Sequence, residues 1–148
     1  MLGLKILNSK EVRKILELIG TQWGAEMKIG GALLQNNKSR IFLVNRDISK
    51  IDLSKLRINS IGMYFCEIEK GIRLSIEGSQ LVGPKASKNM VEIDELQAKS
   101  WMKGEDLNIE GDYSGFVIIK NKNDFLGTGK YKDGIILNYV GKERRVSA

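Results

Sequence analysis

The strongest constraint on the fold lies in the C-terminal third, where three short apolar runs follow one another closely. The runs cover residues 116–119, 125–130 and 135–140, and each suits a β-strand. Polar turns separate them, and Lys132-Asp133-Gly134 is a strong hairpin signal. Short strands with glycine-rich corners favour a small closed barrel, because closure removes exposed sheet edges.

The N-terminal residues predict an amphipathic helix. Ser9 is a plausible N-cap, and Gly20 or Gly24 lies near the expected end of the helix. The apolar positions between them follow the spacing i, i+3, i+4 and i+7; they are Val12, Ile15, Leu16, Ile19 and Trp23. One helix is therefore expected to begin the chain.

The next sixty residues predict mainly strands. Residues 32–35 and 40–44 flank a polar turn and predict a β-hairpin. A short helical turn is expected over 47–55, and residues 57–69 and 72–74 predict two more strands. These elements give an α+β N-terminal unit.

Two helices are predicted between this unit and the C-terminal strands. The first covers 75–82 and is expected to end at Gly83, before Pro84. After a strand at 91–93, Asp94 and Gln97 form a capping-box pair that begins a second helix. That helix is expected to run through Trp101 and to stop at Gly104.

The charge of the 148-residue chain favours an anionic partner. The net charge is +6, and residues 1–74 hold 13 Lys/Arg against 7 Asp/Glu, an excess of six. Residues 113–148 hold seven bases against three acids, whereas residues 92–112 hold seven acids against two lysines. This distribution is interpreted either as separate basic and acidic surfaces or as scattered solvated charge.

Several chemistries are made improbable by the residue types. The chain has no histidine and one cysteine, Cys66, which excludes an intramolecular disulfide and removes the commonest general base. Cys66 lies in an apolar strand and is expected to be buried and inert. Acidic residues such as Asp106 and Asp112 form no recognisable constellation. We therefore predict no catalytic residue, no metal site, no cofactor and no enzyme activity.

The same sequence gives no sign of a membrane partner or a secretory signal. It has no window of eighteen uncharged apolar residues, and its N-terminus becomes charged early. A cytoplasmic location is the expectation.

Two further features bear on a binding site. Gly127 and Gly129 lie two apart on one predicted strand, and we interpret them as room for close packing in preference to a nucleic-acid contact. The segment Gly-Lys-Glu-Arg-Arg at 141–145 follows a strand directly, so its cations suit phosphate contact. Aromatic residues nearby are candidates for base stacking; they are Tyr113, Tyr131 and Tyr139.

The C-terminal motifs resemble those of a known family. They are GFVIIK (115–120), DFLGTGK (124–130), ILNYV (136–140) and KERRV (142–146), with RLSIEGSQLVG (73–83) and WMKGED (101–106) upstream. Together they resemble the PUA domain of small archaeal ribosome-biogenesis proteins related to the C-terminal extension of Sun-type RNA cytosine-5 methyltransferases. The resemblance covers roughly residues 60 to 146.

This resemblance implies an α+β chain with two parts. An N-terminal α+β pre-PUA domain is expected over residues 1–72, followed by a PUA-type β pseudo-barrel over 73–148. Structured RNA, either rRNA or tRNA, would bind along a glycine-containing helix and the last strand. The RNA-side candidates carried over by position are Lys85, Lys88, Lys130, Lys142, Arg144 and Arg145, with Tyr131 as the stacking candidate beside them.

The function implied is that of a non-catalytic RNA-binding protein in ribosome biogenesis or RNA modification. The alternative is a docking or specificity subunit for a separate RNA methyltransferase or a ribosomal protein. Salt-sensitive RNA binding favours the first, and co-purification with a catalytic chain without RNA binding favours the second. The sequence predicts no particular oligomeric state.

Overall fold

The computed structural model describes residues 3–44 and 62–145, which form two five-stranded sheets and three α-helices. The first sheet contains β1 (Lys5–Ile6), β2 (Ala32–Gln35), β3 (Arg40–Val44), β4 (Met63–Ile68) and β5 (Ile72–Leu74), with helix α1 (Ser9–Trp23) after β1. Its strand order follows the sequence, and all neighbours are antiparallel. The predicted hairpin of β2 and β3 is confirmed, whereas the helical turn expected over 47–55 lies outside the described residues.

The second sheet contains the C-terminal strands. Its elements are α2 (Ile76–Val82), a 3₁₀ turn (Gly83–Lys85), β6 (Met90–Glu92), α3 (Glu95–Met102), β7 (Leu107–Asn108), β8 (Phe116–Asn121), β9 (Asp124–Lys132), β10 (Ile135–Asn138) and a last 3₁₀ turn (Lys142–Arg144). The strand order is β6-β8-β9-β10-β7, with β6 parallel to β8 and the other neighbours antiparallel. The predicted α+β class is confirmed.

The second sheet differs from the closed barrel expected from the sequence. It is a curled half-barrel, because β6 and β7 remain its two edges in the described part of the chain. Both edge strands are short, with three and two residues, so neither offers a long ladder for closure. The hairpin between β9 and β10 is as predicted, and both of its turn residues, Asp133 and Gly134, have positive φ.

Local capping explains where the helices begin. Helix α1 is capped by Asn8 and not by Ser9 as predicted: the Asn8 side chain accepts from the N–H of Glu11 at 2.9 Å, and the Glu11 carboxylate accepts from the N–H of Asn8. The capping box of Asp94 and Gln97 is confirmed at α3. Both boxes satisfy backbone donors that a helix start would leave unpaired.

Helix α2 has the predicted extent, since Ser75 is its N-cap and Gly83 its C-cap. The Ser75 hydroxyl accepts from the N–H of Gly78 at 2.9 Å and caps the helix. The chain then makes a 3₁₀ turn over Gly83–Lys85. Pro84 is tolerated there because the first turn of a helix does not need its missing N–H.

The end of α1 joins the two sheets. Trp23 is fully buried, and its indole N–H donates to the carbonyl of Phe116 at 3.0 Å. The Gln22 side chain donates to the carbonyls of Ser114 and Phe116, and the Asn89 side chain donates to the carbonyl of Gln22. One apolar cluster contains residues of both halves, including Ile19, Phe65, Val82, Ile118 and Phe125.

The predicted division at residues 72 and 73 falls within β5, the edge strand of the first sheet. The division into domains stays a prediction.

Candidate functional site

A cleft of about 480 Å³ lies where the two sheets meet. We call it the junction cleft. Its walls include Arg40, Tyr64 and Arg73 from the first sheet and Glu77, Tyr139 and Arg144 from the C-terminal part. The buried residues Leu74 and Thr128 also line it.

The register of the first sheet brings its two arginines to one face. Ile41 pairs with Cys66, and Cys66 pairs with Leu74; all three side chains are buried in the shared core. Because side chains alternate along a strand, Arg40 and Arg73 lie on the opposite face. A register shift between Ile41 and Phe42 then pairs Phe42 with Tyr64, whose ring centroids are 5.8 Å apart.

Two arginine–tyrosine pairs line the junction cleft. The Arg40 guanidinium carbon lies 5.2 Å from the Tyr64 ring centroid, and that of Arg73 lies 4.8 Å from the Tyr139 ring centroid. The Tyr139 ring also packs edge-on against Phe116, at 5.2 Å between centroids. These contacts place both guanidinium groups over aromatic rings.

Carboxylates neutralise part of this positive charge. Arg73 forms a salt bridge with Glu67, and Arg144 forms one with Glu77. Glu143 also lines the junction cleft. Burial raises the pKa of the Tyr64 hydroxyl, while the nearby charges of Arg73 and Arg40 act in the opposite direction. Tyr64 therefore stays a neutral hydroxyl at physiological pH.

Of the residues proposed from the sequence, Arg144 lies in the junction cleft and Lys142 lies two residues earlier, in the same exposed 3₁₀ turn. Arg145 points elsewhere: its Nε donates to the carbonyl of Val140 at 3.1 Å. A Cβ on Gly104 would come within 2.5 Å of that Nε, so Arg145 packs over the end of α3.

Lys130 and Tyr131 lie on opposite faces of β9. Lys130 is exposed and pairs across the sheet with Phe116, on the face that also carries Thr128 of the junction cleft. The Tyr131 ring packs edge-on against Tyr113, with centroids 5.5 Å apart, and its hydroxyl accepts from the N–H of Gly111 at 3.4 Å. Base stacking by Tyr131 remains a prediction.

Lys85 and Lys88 lie on the segment between α2 and β6, and both are exposed. Lys85 ends the 3₁₀ turn, and the N–H of Lys88 donates to the carbonyl of Trp23 at 3.2 Å. This segment is anchored to α1, away from the junction cleft. The candidates taken from the sequence therefore spread over several surfaces, and their roles stay predictions.

Sequence reasoning missed Arg40 and Arg73 as site residues. Arg73 stood within a motif that carried the family resemblance, but its partner Tyr139 is 66 residues away in the chain. Arg40 begins β3 and is followed by the buried Ile41. This alternation of a polar and an apolar residue could have indicated that Arg40 lies on the face opposite the core. Only the register of β3, β4 and β5 brings the two arginines together.

One of the two glycines of β9 has the packing role favoured from the sequence. A Cβ on Gly129 would come within 2.5 Å of the Trp101 ring and 2.6 Å of Ile136, which confirms close packing there. Gly127 has φ of +89°, and its N–H donates to the buried hydroxyl of Ser79 at 2.9 Å. A Cβ on Gly127 would meet Ile76 at an ordinary 3.4 Å, so its positive φ is what favours glycine at this position.

The thiol of Cys66 is expected to resist alkylation in the folded protein. It is buried in β4, and burial raises its pKa to about 12, so almost no thiolate forms near pH 8. Iodoacetamide labelling at pH 8, followed by mass spectrometry, should be slow in buffer and fast in urea. Equal rates in both conditions would contradict the burial.

Within residues 3–44 and 62–145, no group of three or more His, Cys, Asp or Glu side chains is arranged to hold a metal ion. None of the helices in these ranges has the length and apolar character needed to span a membrane.

Comparisons with known proteins place this geometry in context. Residues 88–146 match the family model described as "Methyltransferase RsmF PUA domain". The chain is 31% identical over 93 residues to "Ribosomal RNA small subunit methyltransferase F" of Vibrio cholerae serotype O1 (strain M66-2), an alignment that covers 62% of this chain and 20% of that protein. The protein of the same name from Aeromonas salmonicida (strain A449) is 28% identical over 139 residues, covering 93% of this chain and 28% of the relative. The chain thus spans only about a fifth to just over a quarter of these relatives.

A solved structure shares the fold. It is titled "Structure of a Conserved PUA Domain Protein from Thermoplasma acidophilum", with a TM-score of 0.63, 16% sequence identity and coverage of 95% of both chains. The similarity therefore extends over both sheets.

Proposed function

Residues 88–146 are a PUA domain of the RsmF type, and from this premise we propose that the chain binds structured ribosomal RNA during its modification. The observation that carries the proposal is the junction cleft, where Arg40 and Arg73 of the first sheet lie over the rings of Tyr64 and Tyr139. Such a combination suits RNA, because unpaired bases stack on aromatic rings and on guanidinium planes.

The exposed lysines beside the cleft are proposed to contact the RNA backbone. Lys130 lies on the face of β9 that continues into the junction cleft, and Lys142 lies in the turn that carries Arg144. Backbone contacts of this kind position an RNA without reading its sequence. The small-subunit rRNA named for the relatives is the first substrate to test.

We further propose that these residues do not transfer a methyl group themselves. The related RNA cytosine-5 methyltransferases use catalytic cysteines, and the one cysteine of this chain is buried with its pKa raised to about 12. Catalysis would belong to a methyltransferase that acts with this RNA-binding unit, in the cytoplasm. The chain's part would be to position the RNA.

The salt dependence of binding tests the backbone contacts. Replacing Lys130 and Lys142 by Gln is expected to weaken binding to a hairpin of small-subunit rRNA, since two phosphate contacts are lost. The slope of log K against log salt should fall in magnitude by about 1 to 2, at roughly 0.7–0.9 per contact. Fluorescence anisotropy at several salt concentrations measures both quantities.

A charge-matched control is the double variant Lys10→Gln, Lys14→Gln on the exposed side of α1. It should bind RNA more tightly than the Lys130/Lys142 variant. Equal losses in the two variants would indicate non-specific attraction by net charge. A wild-type protein that ignores RNA but co-purifies with a methyltransferase would support the docking-subunit alternative and refute direct RNA binding.

A further inference from the structure

The junction cleft is lined by planar side-chain groups, and carboxylates neutralise part of its positive charge. Arg73 lies over Tyr139 and is paired with Glu67, while Arg144 is paired with Glu77. The carboxylates offset much of the positive charge that a cluster of phosphates would require. The cleft therefore suits a planar, uncharged group better than it suits a stretch of phosphate backbone.

An RNA base is the planar group that such a cleft would receive. Bases that are not paired stack on tyrosine rings and on guanidinium planes. Arg73 is held from two sides, by the Tyr139 ring and by the Glu67 carboxylate, so its plane is already oriented before a ligand arrives. Tyr139 is itself fixed by its edge-on contact with Phe116 and remains 40% exposed.

We propose that the junction cleft holds the base of a single unpaired nucleotide of the bound RNA, stacked on the Arg73–Tyr139 pair. This inference rests on the proposed function and adds to it the kind of nucleotide recognised. It also assigns half of the nucleotide site to the first sheet, outside residues 88–146 that match the PUA model.

The dimensions agree with this assignment. The volume of about 480 Å³ falls within the range of roughly 300–1,000 Å³ of small-molecule sites, enough for one nucleotide. Lys142 lies near the rim, next to Arg144, where the ribose-phosphate of an inserted nucleotide would leave the cleft. The second pair, Arg40 and Tyr64, lines the same cleft.

Two variants separate stacking from charge. Arg73→Lys keeps a cation that can pair with Glu67 but removes the plane, and Tyr139→Leu removes the ring while keeping an apolar side chain against Phe116. Binding is measured to two rRNA-like hairpins, one with a single bulged nucleotide and one fully paired. Each variant is expected to bind the bulged hairpin about tenfold more weakly than wild type and the paired hairpin as wild type does.

Photocrosslinking then locates the base. With 5-iodouridine at the bulge, irradiation of the wild-type complex should crosslink Tyr139 or Tyr64, as identified by peptide mass spectrometry. A crosslink to a residue outside the cleft would overturn the proposal. Arg13→Lys, on the exposed side of α1, is the matched control and should leave both affinities unchanged.

The remaining outcomes distinguish this proposal from the proposed function. Wild-type protein that binds both hairpins equally, with equal losses in the two variants, would keep RNA binding but refute a base site. Wild-type protein that binds neither hairpin would refute both. Binding of AMP alone as tightly as the bulged hairpin would make the cleft a small-molecule site and refute an RNA base.

Discussion

Replacing Trp23 by alanine is expected to lower the free energy of unfolding by about 3–5 kcal/mol. Trp23 is fully buried at the end of α1, in the cluster that both sheets share. The carbonyl of Phe116, which accepts from the indole N–H, also accepts from the Gln22 side chain, so it keeps a partner in the variant. The loss therefore comes mainly from the cavity left between the sheets.

Urea denaturation followed by fluorescence and by circular dichroism measures this loss. The chain has two tryptophans, so Trp101 alone reports in the variant, and Trp101 belongs to the core of the second sheet. We expect both signals to shift together to lower urea. If the urea midpoint of the Trp101 fluorescence in the variant equalled the fluorescence midpoint of wild type, the two sheets would unfold independently. Leu18→Ala, on the exposed side of α1, is the control and should cost less than about 0.5 kcal/mol.

Sequence patterns predict the structure correctly where it depends only on contacts between residues that are close in the chain. The capping box of Asp94 and Gln97 and the Asp133-Gly134 turn are as predicted, because each depends on contacts within a few residues. The cap of α1 shows the limit of this reasoning. Asn8 is the N-cap instead of Ser9 because Glu11 lies three residues after Asn8 and completes the capping box.

Long-range geometry could not be read from the sequence in the same way. The junction cleft depends on a register shift between β3 and β4 and on the contact of Arg73 with Tyr139. Neither leaves a periodic signal. The basic residues selected from the C-terminal segment were adjacent in sequence, yet Arg144 points toward Glu77 and Arg145 toward the end of α3. In a 3₁₀ turn, neighbouring side chains diverge, so sequence adjacency did not predict a shared surface.

The missing side chain of Gly78 sets how closely α2 approaches the first sheet. A Cβ at this position would overlap the carbonyl oxygen of Phe65 in β4, which is backbone and cannot move aside alone. Helix α2 also contributes Ile76 and Glu77 to the junction cleft. The glycine therefore connects the packing of the two halves with the shape of the site.

Gly78→Ala is accordingly expected to lower the free energy of unfolding by about 1–3 kcal/mol, as overpacking does elsewhere. Alanine favours a helix over glycine by about 1 kcal/mol, so the measured loss is what remains after that gain. Urea denaturation measures it. Gly30→Ala is the matched control, since a Cβ there meets nothing within 4 Å, and it should be nearly neutral. If Gly78→Ala proved stabilising, α2 could not lie against β4 as described. The placement of Ile76 and Glu77 in the wall of the cleft would then be wrong.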